Sequence, residues 1–426
     1  MLYLHASSLR KQGPRALIHC VSNVKVPTFR WNELFVLGSC FRRNDAGGFL
    51  SILLILCFFF VQTQPCLADQ PNWDKIIHSL DTFVTDYVKE KKVPGCIVAI
   101  VGPHDIYFLK SYGVKKLGQT DRITTKTLFQ LGSVSKTITA TLLIKLYDQN
   151  AIDLEEPITT YLSDFKLKDQ EEPLTIRHLL SHTSGVPRYG FNALIETHPP
   201  RSELLRMVQT VKPAAHPGES FDYHNVMFAL TEDILHVTHN QRFDHILEKT
   251  VFSPLSMAHA CVGLNCIQQS KDRASPHIRN KKGQIIPLDA YSRAYYAVSP
   301  AGGINASMED MIPFLKAHLG GRPNVLSSGA RSLLHLPQVT EDMSPEVMKA
   351  KSEHIDKMGY ALGWRWMDYG GERVVYHGGW LKGFHTMVAF LPEHEVGIIV
   401  LHNAETNLPW KTTCAFLDQY LGLSKS

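Results

Sequence analysis

An α+β fold, in which both ends of the chain build one antiparallel sheet around a mostly helical insertion, is predicted by three features of the sequence. Two apolar runs of strand-like composition, Cys96 to Val101 and Ile106 to Tyr112, are separated by a tight Gly102-Pro103 turn. From about Asp153 to Leu336 that signal fades and helical or loop patterns take over. Strand patterns return late, at Ala361 to Trp366, Arg373 to Tyr376, Phe384 to Phe390 and Val396 to Leu401, joined by links of hairpin length. Short links make neighbouring strands antiparallel, because a parallel crossover needs about a dozen residues or more.

Residues 1–48 receive no fold assignment. They hold seven Lys/Arg against two Asp/Glu, so of the chain's 44 basic and 40 acidic residues, 37 and 38 lie beyond them. The formal charge of +4 therefore belongs to this leader, and nothing points to a nucleic-acid partner. Phe49 to Val61 is an apolar run behind Arg42 and Arg43. As a helix it spans about 20 Å, short of the ~30 Å hydrocarbon core. With Cys66-Leu67-Ala68 ahead of Asp69, residues 49–68 read as a secretory signal peptide cleaved after Ala68; an uncleaved signal anchor is the competing reading. The protein is accordingly expected to be secreted or periplasmic, with membrane contact only through an uncleaved leader. Beyond Ala68 remain Cys96, Cys261, Cys266 and Cys414, too few for a disulfide scaffold. Cys261 and Cys266 are spaced to close a small loop in an oxidising compartment.

Residues 72–424 form the folded region, with an α/β part at 72–150 and 355–424 and a helical part at 151–354. Trp73 to Lys92 has apolar residues at helical spacing and ends at Val93-Pro94-Gly95. The helix following Ser133 carries Ile138, Leu142, Leu143, Ile144 and Leu146 over most of its faces, so it belongs in the middle of the domain. Helical patterns in the insertion include Ile176 to Leu180, Ser202 to Val211, Val226 to Val237, Phe243 to Val251 and Met308 to Leu319. A final helix runs from about Pro409 to Leu421.

The candidate chemistry lies in three short motifs. In FQLGSVSKTITA, Phe129 to Ala140, Ser133 precedes Lys136 by three residues, which places both on one helical face. A serine hydroxyl needs a neighbouring base to become a nucleophile, and burial turns a lysine into such a base by destabilising its charge. The spacing alone is weak, since Ser8 with Lys11 and Ser22 with Lys25 repeat it, and an N-cap serine beside a solvated lysine has the same pattern. Tyr223-His224-Asn225 stands before the helical run from Val226. A phenol beside a buried ammonium is expected to have its pKa pulled down and to pass protons, and the Asn225 amide can bind Lys136 and a substrate carbonyl together. His377-Gly378-Gly379-Trp380 follows the strand Arg373 to Tyr376. Two glycines on a strand edge admit a substrate backbone, and the Trp380 N–H can join that of Ser133 in an oxyanion hole.

The order S-x-x-K, then Y-x-N about ninety residues on, then a basic residue plus Gly on a late strand resembles the serine penicillin-recognising family. That family comprises class C β-lactamases, low-mass DD-peptidases, D-aminopeptidases and esterases with the β-lactamase/transpeptidase-like fold. The likeness runs from about Val93 to the C-terminus and includes LLSHTSGVPRYG, SPAGGINASMEDM and HGGWLKGFHT. It implies that Ser133 is acylated, that Lys136 and Tyr223 share the general-base and general-acid roles in an order left open, and that Asn225 orients Lys136 and substrate. It implies substrate contacts from His377, Gly378, Gly379, Trp380 and Tyr189, and no metal or organic cofactor. Where class C β-lactamases usually carry Lys-Thr-Gly, this chain has His377-Gly378-Gly379, and histidine is mostly neutral at pH 7. Tyr189 stands where those enzymes have a polar amide. Both departures weigh against efficient β-lactam hydrolysis.

A secreted serine hydrolase acting on a small-molecule or peptide ester or amide is the expectation, and a non-catalytic penicillin-binding-like scaffold is the alternative. Other catalytic apparatus is scarce. There is no G-x-S-x-G elbow, His394-Glu395 lacks the second His of a zinc helix, and His236, His239 and His245 lack a carboxylate or thiolate at ligand spacing.

Overall fold

A computed structural model describes residues 71–188 and 191–423 of the chain; the leader, the apolar run at 49–61 and Tyr189 lie outside the described residues. The chain opens on helix α1, Trp73–Glu90, whose Asn72 side chain accepts the Lys75 N–H at 3.0 Å as an N-cap. Ile76, Leu80 and Val84, four residues apart, are its buried stripe. Strands β1, Gly95–Val101, and β2, Ile106–Gly113, follow, then the central helix α2, Ser135–Asp148. The insertion contains α3, Asn225–His239, and α4, Met308–His318. Late in the chain come β3, Val339–Thr340; β4, Ile355–Tyr360; β5, Arg365–Tyr369; β6, Glu372–Leu381; β7, Phe384–Leu391; β8, Val396–His402; and helix α5, Leu408–Tyr420.

These eight strands form one antiparallel sheet in the order β2-β1-β8-β7-β6-β5-β4-β3, so the two ends of the chain meet where β1 pairs with β8. Alternate residues of a strand point to opposite faces. In β1, Ile97, Ala99 and Val101 enter one apolar core, while Cys96, Val98 and Ile100 enter another. The first core is shared with α2, α4 and the insertion, the second with α1 and α5. Helices on both faces explain why these strands read as unbroken apolar runs despite being antiparallel. α2 is the element between sheet and insertion, buried almost all round from Ser135 to Leu146.

Two late strands differ from the expectation. Ala361 to Trp366 is not one strand: the chain turns there between β4 and β5, with the Ala361 N–H donated to Trp364 O at 2.7 Å. Gly363 at φ +72° makes the turn, and a Cβ there would lie 2.4 Å from Ala140 Cβ and 2.7 Å from Lys136 O. The run is apolar because the turn itself docks on α2, burying Leu362 and Trp364. Conversely, β6 extends to Leu381, so His377 to Trp380 lie within a strand rather than after one. The glycine pair lowers the strand propensity that would have shown this in the sequence. Cys261 and Cys266 are disulfide-bonded. No helix among the described residues is long and apolar enough to cross a membrane.

Candidate active site

The turn that carries Ser133 is held from two sides before α2 begins. Phe129–Gln130 pairs with Ile304–Ala306, and the Leu131 N–H donates to Ile304 O at 3.0 Å. Thr386 of β7 donates its hydroxyl to Leu131 O at 2.7 Å. The chain then turns at Gly132, φ +56°, into one 3-10 turn, Gly132–Val134, that leads directly into α2. Ser133 thus sits where main-chain N–H groups lack intrahelical acceptors. Buried hydroxyls of α2 find main-chain partners: Thr137 donates to Val134 O at 2.8 Å, Thr139 to Pro300 O at 2.9 Å, and Ser135 accepts from the Ile304 N–H at 3.0 Å.

Lys136 is fully buried on the next turn. Its Nζ lies 2.6 Å from Asn225 Oδ1, 2.7 Å from Ala301 O and 3.3 Å from Ser133 Oγ. The first two partners can only accept. A neutral amine has two N–H bonds, which they consume, and the remaining lone pair is left for the serine hydroxyl. Burial, reinforced by the charge of Arg365, holds the Lys136 pKa well below the ordinary lysine value.

Tyr223 lies just before α3. Its ring centroid is 4.6 Å from Lys136 Nζ, and its hydroxyl is hydrogen-bonded to Ser133. Burial raises the phenol above its usual range, and the bond to Ser133 with the Arg365 charge offsets this only in part. This reverses the expected downward shift, because the cost of burying a phenolate exceeds what the neighbouring groups return. Asn225, the first residue of α3, donates through Nδ2 to Asn192 Oδ1 at 2.8 Å, which fixes its Oδ1 toward Lys136. His224 turns its ring inward as the helix cap, Nδ1 accepting the Met227 N–H at 3.3 Å.

β6 brings the third motif. Its pairing with β5 ends at Arg365↔Tyr376, whereas its pairing with β7 runs on through Gly378↔Met387, Gly379↔Thr386 and Trp380↔His385. The edge beyond Tyr376 faces the turn that carries Ser133. A Cβ on Gly132 would lie 3.1 Å from Trp380 N, and one on Gly379 only 1.9 Å from Leu131 O. Both glycines are therefore needed for the strand to approach the turn, which brings Trp380 N beside Gly132, the residue before Ser133. Gly378 is less confined, its nearest neighbour being the flexible Met387 Cε at 3.2 Å. The Trp380 indole is 49% exposed at this rim.

Ser133, Lys136, Tyr223 and Asn225 thus come together, and Gly379 and Trp380 of β6 pack against the turn that carries Ser133, with Gly378 beside them in the strand. His377 lies near them, its ring centroid 6.4 Å from that of Tyr223, but both its ring nitrogens are engaged within the protein. It is 1% exposed, its Nε2 lies 2.9 Å from the Tyr360 hydroxyl and its Nδ1 2.9 Å from Gly378 O. Nδ1–H donates to the carbonyl, so Nε2 accepts from Tyr360, and no ring nitrogen is left for a substrate. Burial, reinforced by the charge of Arg365, holds its pKa well below the ordinary histidine value and keeps this imidazole neutral. Sequence reading gave no role to the Ala301 carbonyl, to Asn192 or to Tyr360. A main-chain carbonyl carries no residue signal, and the other two are recognisable only from their neighbours in space. Among the described residues no cluster of His, Cys, Asp and Glu is arranged to hold a metal ion.

Residues 80–418 match the family model described as Beta-lactamase. An unguisins hydrolase of Aspergillus campestris is 28% identical over 346 residues, covering 77% of this chain but 62% of that relative's length. A beta-lactamase of Escherichia coli is 24% identical over 364 residues, 78% of this chain and 90% of that one. Among solved structures, the octameric penicillin-binding protein homologue from Pyrococcus abyssi superimposes with a TM-score of 0.73 at 23% identity, over 81% of this chain and 77% of that one. That likeness speaks for the fold; the family model spans the sheet, the insertion and all three motifs, and by it the chain belongs to the beta-lactamase family.

Proposed function

We propose that this protein is a serine hydrolase that cleaves an ester or amide through an acyl-enzyme on Ser133. The observation that carries this reading is the Lys136 amine, held by two obligate acceptors with its third direction on Ser133 Oγ. In this mechanism Ser133 Oγ attacks the substrate carbonyl as its proton passes to Lys136 Nζ. The Ser133 and Trp380 N–H groups receive the oxyanion, each worth about 3 kcal/mol in the transition state. Tyr223, kept protonated by burial, donates to the leaving group and is re-protonated from Lys136. Water then attacks the acyl carbonyl and the same groups run in reverse. The names of two relatives, a hydrolase and a beta-lactamase, support hydrolysis in kind. No observation favours the non-catalytic scaffold. The Cys261–Cys266 bond fits export to an oxidising compartment, as the leader pattern suggests.

Esters are the better substrates on this reading. A β-lactam carboxylate calls for a fixed cation, but His377 is neutral with its nitrogens occupied, and Arg365 is paired with Glu341 at 2.8 Å. Treatment with a fluorophosphonate followed by peptide mapping is expected to give one adduct, on Ser133. Folded protein that stays unlabelled, or carries the adduct elsewhere, overturns the proposal. In a substrate panel, short-chain p-nitrophenyl esters are expected to turn over and nitrocefin to react slowly or not at all. Nitrocefin turnover matching the esters would reject the ester preference.

A further inference from the structure

Tyr223 has to aim its hydroxyl at Ser133 from an irregular segment that precedes α3, and the bonds that fix this aim converge on one residue. His182 follows the short helix Ile176–Ser181 in the left-handed conformation, φ 58° and ψ 36°. Its carbonyl accepts the Asp222 N–H at 2.9 Å, and its Nδ1 accepts the His224 N–H at 3.1 Å. The residues on either side of Tyr223 are thus both tied to His182, one through its main chain and one through its side chain. Between these ties the imidazole lies against the Tyr223 ring, centroids 4.2 Å apart at 39°. Its other neighbours are the rings of Tyr360 at 4.7 Å and Phe228 at 5.4 Å. The approach continues outward, where Gly218 donates to Thr183 O at 2.7 Å and Ala214 to Gly185 O at 2.8 Å.

We infer that His182 is a positioning residue for proton donation by Tyr223, acting through this two-point clamp; the inference rests on the function proposed above. The role has defined chemical demands. Nδ1 must be an acceptor, so the ring is the neutral Nε2–H tautomer, and Nε2, at 2% residue exposure, has no partner that would compete for the ring's orientation. The main chain must be left-handed, so that carbonyl and side chain reach the same segment. Asparagine meets both demands, since it tolerates this conformation and carries an acceptor at the δ1 position. Phenylalanine keeps a ring against Tyr223 but leaves the buried His224 N–H unpartnered.

The test uses the full-length chain and two ester series that differ in the leaving group. A p-nitrophenolate leaves without a proton, whereas an alkoxide needs one, so only alkyl esters report the proton donor. Both esters are compared through kcat/KM, which ends at departure of the leaving group and so leaves out the deacylation they share. Tyr223→Phe is expected to lower kcat/KM far more for an alkyl ester than for its p-nitrophenyl counterpart. His182→Phe is expected to repeat that selectivity, with kcat/KM for the alkyl ester down about 10²-fold and the p-nitrophenyl ester largely spared. His182→Asn is expected to restore alkyl-ester turnover to within about tenfold of wild type, the deficit being the lost ring contact. Addition of His182→Phe to Tyr223→Phe is expected to cost little more. Equal losses for both ester types in His182→Phe, or no rescue by a folded His182→Asn, would overturn the inference while leaving the proposed function standing. Wild-type protein inert to both esters, or Tyr223→Phe without leaving-group selectivity, would instead bring down the proposed function and the clamp with it.

Discussion

Lys136→Met is expected to lower kcat for ester hydrolysis by a factor of about 10⁴ to 10⁶, the scale seen when a nucleophile's base is removed. Methionine is unbranched and adaptable, so it can fill the space of the lysine stem. What disappears is the lone pair at 3.3 Å from Ser133 Oγ. The stability effect has two opposed parts. Asn225 Oδ1 and Ala301 O lose their donor, which costs about 1–3 kcal/mol for each acceptor left unsatisfied. Against this, wild-type folding must strip the Lys136 proton below the ordinary lysine pKa, because the folded value is depressed. Between the folded value and about pH 10.4 the unfolded chain binds a proton that the folded chain does not, so wild-type stability rises with pH through that window and levels off above it. The variant lacks this term, and its stability relative to wild type should therefore be most favourable near neutrality and decline as pH rises. Urea unfolding of both proteins at pH 7 and pH 9, with ester turnover, measures both effects. The acid limb of the wild-type kcat/KM profile is expected far below the lysine range for the same reason. Turnover within tenfold of wild type in the variant, or a stability difference that ignores pH, would show that Lys136 is not the depressed base.

The pairing of Ser133 with Lys136 was legible in the sequence because it is local: three residues on a helix fix their separation whatever surrounds them. The layout of the sheet was legible for a related reason, since the apolar runs of β1 and β8 carry both of its faces. What depends on the surroundings was not. The apolar residues of Ala361 to Trp366 fit a strand as well as a docked turn, and only the contact of Gly363 with α2 distinguishes the two. The resemblance implies a substrate contact for His377, but Tyr360, seventeen positions earlier, takes its free nitrogen. The direction of the Tyr223 shift was misjudged because a sequence shows which groups are near one another more readily than how dry their surroundings are. Burial outweighs the neighbouring charges here.

Gly379→Ala is the substitution expected to separate the oxyanion contact from the rest of the machinery. Its Cβ would lie 1.9 Å from Leu131 O and 2.5 Å from Thr386 Oγ1. Neither atom is free to yield: Leu131 O is main chain and is already bonded to that same threonine hydroxyl at 2.7 Å. The strand must give way instead, and relief of such an overlap requires a retreat of about 1 Å, a distance that matters in a catalytic site. Trp380 N moves with it, away from the position beside Gly132. Loss of that donor is expected to lower kcat by about 10² to 10³. Lys136 and Asn225 are carried by α2 and α3, and Tyr223 by the segment before α3, so all three stay with Ser133 and fluorophosphonate labelling should continue at a reduced rate. Gly378→Ala is the matched control. Its Cβ meets only the mobile end of Met387 at 3.2 Å, and its turnover is expected to stay close to wild type. Ester kinetics and thermal unfolding of the two variants together decide the matter. Equal activity in both would mean that the close approach of β6 to the nucleophile turn does not supply the second donor, whereas a loss confined to Gly379→Ala in folded protein would locate that donor at Trp380.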